Sequence, residues 1–157
     1  MFWYCRYSPY PVVWWKQKLP ASVRFELVFD GEGVLDKETG LVWERSPNNT
    51  TPMKWNEAFI YCYRKSLGGR MGWRLPTVEE LLSLVDPSQS APSLPNGHLF
   101  SNVTTHDYWS ATTVVNPPGG HAWHVGFSSG HADTDNMQFE RFVWCVRGGQ
   151  GHIGQSY

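Results

Sequence analysis

The sequence predicts one α+β domain with an antiparallel sheet, and three observations lead to this fold class. Apolar segments of strand type lie toward both ends of the chain, and two segments of helical periodicity lie between them. Gly and Pro, 15 and 11 of the 157 residues, separate these segments with turns. Strands and helices that occur in separate runs are typical of α+β domains. A chain of this length is sufficient for one domain with a single core.

The first predicted strands lie before residue 46. Residues 24–29, RFELVF, alternate between apolar and polar side chains and predict a strand. Residues 33–45 predict a hairpin, because two apolar runs flank a Lys-Glu-Thr-Gly turn. Residues 46–52, SPNNTTP, have the composition of a loop.

The first predicted helix begins at Asn56 as the N-cap and stops at the glycine pair of residues 68–69. Its apolar residues recur at helical spacing, which predicts a face that packs on the core. That face comprises Ala58, Phe59, Cys62 and Tyr63.

The second predicted helix lies within residues 73–87. Thr77 and Glu80 form a Thr-x-x-Glu capping box, and Pro87 ends the helix. Its apolar stripe is more typical of core packing than of a cofactor site. The stripe comprises Val78, Leu81, Leu82 and Val85.

The remainder of the chain is predicted to be a long loop followed by strands. Residues 88–106 form a loop of a length that is typical of a functional loop or a packed irregular segment. Residues 107–115, 121–127 and 141–147 carry strand-type residues, and the segment NPPGG joins the first two of them.

Composition and charge exclude two classes of partner. The formal net charge is −1 and the basic residues are scattered, which argues against non-specific nucleic-acid binding. No apolar run approaches the roughly 20 residues of a membrane span. Aromatic residues make up 15% of the chain, with nine Trp, so large rings must supply much of the packing or of a binding surface.

The N-terminal segment, residues 1–22, is interpreted as an aromatic arm outside the main domain of residues 23–157. Polar residues and prolines interrupt its apolar stretch, whereas a signal peptide needs an unbroken one. A partly ordered leader is an equally good interpretation, since chain ends are often loose.

Three cysteines, Cys5, Cys62 and Cys145, allow one disulfide and one free thiol. A bond between Cys62 and Cys145 would close a loop of 83 residues, for which the chain-entropy model gives about 4.5 kcal/mol. Two buried free thiols are the alternative. Cys5 lies in the arm, where it is free or bonds to another molecule.

The stretch HAWHVGFSSGHADTD, residues 121–135, concentrates the polar residues that suggest a site. Along a strand, side chains alternate between faces, so Trp123, Val125 and Phe127 are expected in the core. The intervening residues would face outward, and three polar residues beyond the turn SSG would extend the same surface if the chain stays extended. These outward residues are His124, Gly126, Ser128, His131, Asp133 and Asp135.

A metal site and a catalytic site both fit this stretch less well than an open surface does. His121 and His124 lie three residues apart and would point to opposite sides of a strand. A calcium loop starting at Asp133 would need Gly and Glu where Gln138 and Trp144 stand. The sequence SSGH is not a nucleophile elbow, and no convergent catalytic groups accompany it. No metal and no other cofactor is expected.

Several motifs together closely resemble one known family. They are VLDKETGLVWERSP, MKWNEAFIYC, GWRLPTVEELLSLVDPS, FSNVTTHDYWSATT, AWHVGF and FVWCVRGGQG, in this order. The combination of GWRLPT, YWSATT and WCVRGG is specific, and the match runs from about residue 24 to residue 151. The chain resembles the Lcl C-terminal-like domain family, also called domain of unknown function 1566.

The resemblance implies a C-type-lectin-like fold, with two helices packed on a small twisted antiparallel sheet with long loops. In that fold a helix cysteine bonds to a last-strand cysteine, which implies a disulfide between Cys62 and Cys145. Members resemble secreted or surface-exposed binding domains of bacteria and phage. The resemblance therefore favours a secreted or cell-surface location.

The resemblance also implies where a ligand would bind. One group of relatives forms adhesin tips that bind sulfated polysaccharides. Another resembles the variable proteins of diversity-generating retroelements, whose changed positions cluster before the closing WCVRGG-type segment. Trp144, which alternates with Cys145 and so faces away from the disulfide, is expected to line the same site. The positions carried over are His121, His124, Gly126, Ser128, Ser129, His131, Asp133, Thr134, Asp135, Asn136, Gln138 and Arg141.

Departures from related patterns exclude other functions. The Glu-Pro-Asn, Gln-Pro-Asp and Trp-Asn-Asp triplets of calcium-dependent lectins do not occur. Formylglycine-generating enzymes use a cysteine pair near the C-terminus, where only Cys145 lies, so an oxidase of that type is not expected. The sequence predicts a non-enzymatic module that binds a macromolecular ligand, protein or glycan. An adhesin tip that binds sulfated polysaccharide is the alternative. The aromatic arm and the odd cysteine make a homo-oligomer plausible.

Overall fold

The computed structural model describes residues 18–115 and 120–149, which form three α-helices, one short 3-10 helix (Phe29–Gly31) and ten strands. This mixture confirms the α+β class. The helices are α1 (Ala21–Arg24), α2 (Trp55–Arg64) and α3 (Val78–Ser83). The strands are β1 (Phe25–Val28), β2 (Gly33–Asp36), β3 (Leu41–Glu44), β4 (Asn48–Met53), β5 (Trp73–Arg74), β6 (Asp107–Thr113), β7 (His121–Gly126), β8 (His131–Asn136), β9 (Arg141–Val143) and β10 (Val146–Arg147).

The strands form two five-stranded sheets, not the single sheet that we predicted. The first has the order β1-β2-β3-β10-β5 and the second the order β4-β9-β6-β7-β8. All pairings are antiparallel except that of β6 with β9, where Tyr108 lies opposite Phe142 in parallel. The predicted strand 141–147 is divided between the sheets, because the chain crosses from β9 to β10 through Trp144 and Cys145.

The larger core surrounds this crossing, and it corrects the prediction that Trp144 lines the ligand site. The Trp144 side chain is 0% exposed. Its ring lies 4.9 Å from that of Phe100 and 5.5 Å from that of Trp43. Its indole N–H donates to the backbone oxygen of Glu44 at 2.9 Å. Alternation with Cys145 does direct Trp144 away from the disulfide, but a second apolar layer covers that side as well.

The second core lies under α2 and contains the disulfide. Cys62 of α2 and Cys145 are bonded, with their Cα atoms 5.5 Å apart, which confirms the implied pairing. Both are fully buried and pack with Ala58, Trp73 and Trp109. The disulfide therefore joins α2 to the chain segment that connects the two sheets.

The start and the buried face of α2 differ from the prediction. The N-cap is Lys54, whose backbone N–H donates to the carboxylate of Glu57 at 3.0 Å, and Asn56 lies exposed within the helix. Ala58 and Cys62 are buried as expected, whereas Tyr63 is 73% exposed and Phe59 is 47% exposed. The fully buried stripe consists of small residues, and the larger Trp55 and Tyr61 pack beside it while only partly buried.

Helix α3 follows the prediction closely. Thr77 is its N-cap, and its hydroxyl accepts the backbone N–H of Glu80 at 3.2 Å. The carboxylate of Glu80 in turn accepts the N–H of Thr77 at 2.8 Å, which completes the capping box. Val78, Leu81 and Val85 are buried.

The predicted strands before residue 46 are also confirmed, but residues 46–52 are not simply a loop. β1, β2 and β3 pair antiparallel, with a turn between β2 and β3. Residues 48–53 form β4, an edge strand that pairs irregularly with β9. Edge strands tolerate Asn and Pro because one side of the backbone needs no partner strand, so composition alone misled the prediction.

The long loop, residues 88–106, contains neither helix nor strand and packs into the larger core through Leu94 and Phe100. Most of the predicted arm of residues 1–22, with Cys5, lies outside the described residues. Its last part includes the start of α1, whose Arg24 is fully buried. The Arg24 guanidinium donates to both carboxylate oxygens of Asp36, at 2.8 and 2.6 Å.

Candidate ligand-binding surface

The β7–β8 hairpin places the polar residues of the stretch 121–135 in a defined register. His124 lies opposite Asp133, and Gly126 lies opposite His131. Because opposite residues of paired strands share a face, the predicted common surface is present. On β8, His131 and Asp133 are exposed. The neighbouring strands β6 and β9 add residues to this face, which we call the acidic face and define as Asp107, His124, His131, Asp133, Asp135 and Arg141.

Asp107 is the residue of this face that sequence reasoning missed. It begins β6 and pairs with Gly126 of β7. A Cβ atom on Gly126 would lie 2.5 Å from the Asp107 Oδ1 atom and 2.7 Å from Cε1 of His131. Glycine at this position therefore allows the two polar side chains to meet above the strand. Asp107 lies two residues before Trp109 and therefore shares its side of the strand, which is the sequence signal that could have identified Asp107.

This close approach corrects the expectation that Gly126 is a sequence-tolerant position. Gly126 is buried beneath Asp107 and His131, and a larger residue would have to displace both side chains. His124 was also predicted to be exposed, but it is only 5% exposed. The reason is that side chains of the neighbouring strands lie against it: the Trp109 ring of β6 contacts the imidazole, and the Arg141 guanidinium of β9 lies over that ring.

Arg141 links the carboxylates on the two sides of the face. Its guanidinium forms an ion pair with Asp135, and its Nε atom lies 3.5 Å from the Asp107 Oδ2 atom. The guanidinium also lies over the Trp109 ring, 6.0 Å from the centroid. The Trp109 ring is itself fixed in position, since its indole N–H donates to the Met53 carbonyl at 3.0 Å. Arg141 is therefore positioned by two carboxylates and an aromatic ring.

His124 forms the floor of the acidic face. Its ring contacts Trp109 edge-on, with centroids 6.0 Å apart. Its Nδ1 atom is buried, has no hydrogen-bond partner among the described residues and lies 3.7 Å from the Asp107 Oδ2 atom. Burial lowers the pKa of His124 below its usual value, and Asp107 opposes this effect. The imidazole is therefore neutral near pH 7.

The other predicted site residues do not join this face. The other side of the sheet carries His121, Thr134 and Asn136. His121 lies opposite Asn136 and Thr134 lies opposite Trp123, which assigns them to that side by alternation. Ser128 and Ser129 lie in the β7–β8 turn and are exposed. The Ser129 hydroxyl lies 3.0 Å from the Nδ1 atom of His131. Gln138 is exposed in the turn between β8 and β9.

Two features are absent from the described parts of the chain. Within residues 18–115 and 120–149, no group of three or more His, Cys, Asp or Glu residues could hold a metal ion. None of the helices in these segments is long and apolar enough to cross a membrane.

Fold and surface together define a disulfide-bonded α+β domain with a polar sheet face beside two aromatic cores. Residues 32–147 match the family model of the Lcl C-terminal domain, and the chain belongs to this family. A search of curated proteins and a search of solved structures found no match.

Proposed function

We propose that the chain is a non-enzymatic module that binds a macromolecular ligand through the acidic face and the adjoining β7–β8 turn. One observation carries this proposal: polar side chains from four different strands converge on a face that lies beside, rather than inside, the two cores. A rigid scaffold that presents polar residues on a strand face and a turn is a common basis for binding.

Several residues of this surface are free to change without loss of the fold. His131 and Asp133 are exposed on β8, which is the edge strand of its sheet. Ser128 and Ser129 are exposed in the turn. Substitutions at such positions usually change stability by less than about 0.5 kcal/mol. The identity of these residues can therefore be determined by the partner that they bind rather than by packing in the core.

This tolerance supports a role as a variable protein diversified by a retroelement, on a C-type-lectin-like scaffold. Many residues of the segment, among them His131 and Asp133, are types that substitution of adenines in an Asn codon would produce. A reverse-transcriptase gene beside a near-copy of the sequence encoding residues 110–147 would support this history. A locus without either element would favour a binder of fixed specificity.

The binding function can be tested with two displayed libraries. One library randomises Ser128, Ser129, His131 and Asp133, and a matched library randomises four buried positions of the larger core. We expect most members of the first library to remain folded and to yield binders to unrelated protein targets, and most members of the second to be lost from display. A surface library that unfolds as often as the core library would contradict the proposal.

A sulfated polysaccharide is the alternative ligand, and an enzymatic role is not proposed. Sulfate groups need a cationic surface, whereas carboxylates outnumber guanidinium groups on the acidic face. The oxidase alternative would need a free thiol at Cys145, which is bonded to Cys62. Protein and glycan arrays probed at low and high salt separate the two ligand classes. Salt-sensitive binding to sulfated glycans alone would favour the adhesin.

A further inference from the structure

We propose that the acidic face binds an arginine- or lysine-bearing segment of a partner protein, with one cationic side chain seated between Asp107 and Asp133 above His124. This inference rests on the proposed function and names the chemistry of its ligand.

The charge of the face is the first observation. Asp107, Asp133 and Asp135 supply three carboxylates, and Arg141 supplies one guanidinium, which leaves a formal charge of −2 while the histidines are neutral. The chain as a whole carries only −1, so negative charge is concentrated on this face. Such a face attracts a basic partner and repels an acidic one.

The carboxylates differ in how fully they are paired. Asp135 pairs with Arg141, and its other carboxylate oxygen accepts the backbone N–H of Asn136 at 2.8 Å. Asp133 uses one oxygen to accept the backbone N–H of Thr134 at 2.7 Å and forms no ion pair with a described residue. Asp133 is exposed, so it retains an oxygen for an external cation.

His124 is the second, independent observation. Its side chain is 6% exposed, and the buried Nδ1 atom has no hydrogen-bond partner in the described segments, although it lies 3.7 Å from an Asp107 oxygen. A neutral imidazole nitrogen and a carboxylate oxygen can both accept hydrogen bonds from one N–H-rich cation. The Arg141 Nε–H, 3.5 Å from the same Asp107 oxygen, is a donor that the chain places beside this pair, and an external ammonium or guanidinium group would add further donors on the Asp133 side.

Arg141 demonstrates that a guanidinium fits this surface, since it already lies between two of the carboxylates and over the Trp109 ring. A side chain of the partner would approach His124 from the side of Asp133, opposite to Arg141. The turn after β8 places Phe139, which is 56% exposed, in the segment that leads to β9. Carboxylates with an exposed aromatic ring in the adjoining turn suit a peptide, which offers apolar as well as cationic groups.

The test uses fluorescent oligoarginine and oligolysine peptides as probes, with oligoglutamate and heparin as comparison ligands. We expect the full chain to bind the basic peptides and neither anionic ligand, and to lose affinity as salt increases. Asp133→Asn should weaken binding of the basic peptides about tenfold, because an ion pair at a partly buried interface is removed. Asp107→Asn should do the same. Glu79→Gln, which removes one exposed carboxylate on α3, is the matched control and should change affinity less than about twofold.

Asp107→Asn also removes a partner of Arg141 and can disturb the fold, so thermal unfolding of each variant is measured alongside binding. Asp133→Asn lacks this complication because Asp133 is exposed and pairs only with local backbone. Equal binding by Asp133→Asn and Glu79→Gln would overturn the inference, as would binding of heparin in place of the basic peptides. If array screening yields a neutral or acidic partner whose binding Asp133→Asn leaves unchanged but substitution of His131 abolishes, the inference fails and the proposed function stands.

Discussion

Gly126 shows how one residue without a side chain organises the acidic face. It lies between Asp107 on one neighbouring strand and His131 on the other, and a Cβ atom would approach both below normal contact distance. Because glycine has no side chain, Asp107 of β6 and His131 of β8 can approach each other across this position. The resemblance assigned Gly126 to the variable positions, whereas packing makes it part of the scaffold.

Substitution of Gly126 by alanine should therefore reduce stability. We expect Gly126→Ala to lower the free energy of unfolding by about 1–3 kcal/mol, because an added methyl group must displace neighbouring side chains. Ser128→Ala, two residues further in the exposed turn, is the control and should have little effect. Urea denaturation followed by tryptophan fluorescence measures both. Equal stabilities would mean that Asp107 and His131 move aside at no cost.

The burial of His124 should make the stability of the protein depend on pH. Burial lowers its pKa, and it lowers the pKa of His98 in the same way. As the pH falls below about 6.5, the unfolded chain binds these protons while the folded chain resists them, so stability is present above this pH and declines below it.

Between pH 7 and pH 5, we expect the free energy of unfolding to fall by about 1 kcal/mol less in His124→Gln than in the parent chain. Thermal denaturation at several pH values measures the difference. His131→Gln is the control, since His131 is exposed. A parent chain and a His124→Gln variant with parallel pH profiles would show that His124 titrates normally in the folded state.

At the scale of elements, the disulfide compensates for the narrow buried stripe of α2. The helix buries Ala58 and Cys62 but leaves Phe59 about half exposed and Tyr63 largely exposed. Its fully buried residues are smaller than Val78 and Leu81 of α3, although Trp55 and Tyr61 pack beside them partly buried. The bond between Cys62 and Cys145 holds α2 against the segment between β9 and β10.

Removal of the disulfide should destabilise the protein by about 2–5 kcal/mol, because the unfolded chain regains the freedom of a long loop. The double variant Cys62→Ala and Cys145→Ala tests this expectation without leaving an unpaired thiol at either of these two positions. Guanidinium denaturation of the variant and of the oxidised parent gives the difference. A loss below 1 kcal/mol would indicate that α2 packing, rather than the bond, holds this part of the structure.

At the scale of the whole molecule, Trp144 is the residue that joins the two sheets. It lies between β9 of one sheet and β10 of the other, and it contacts rings from the first strands, the long loop and β6. Beside it, the buried carboxylate of Glu44 pairs with Lys65 and accepts the backbone N–H of Cys145 at 2.7 Å. Burial raises the pKa of Glu44, and Lys65 opposes this effect.

Trp144→Ala should be the most destabilising of these single substitutions. Truncation of a fully buried tryptophan costs about 3–5 kcal/mol, and here both sheets lose their shared contact. His131→Ala on the acidic face is the control and should cost less than about 0.5 kcal/mol. Chemical denaturation distinguishes the two. Comparable losses would mean that Trp144 belongs to the ligand surface and not to the core.

The sequence alone determined the local features whose causes are local. The alternating run that forms β1, the hairpin turn and the Thr77–Glu80 capping box predicted their elements, because side chains a few residues apart dictate them. Parity along β7 and β8 likewise predicted that His131, Asp133 and Asp135 share a face. The motifs were sufficient to indicate the family, which the match over residues 32–147 confirms.

Only the tertiary structure decided what lies beside each strand. Alternation assigns a side chain to a face, but it does not say whether another layer covers that face, and for this reason Trp144 and His124 were both expected at the surface. The division of residues 141–147 between two sheets, and the arrival of Asp107 beside Gly126, depend on pairings between distant segments. Such pairings are selected by the packing of the whole chain, and no single stretch of sequence contains them.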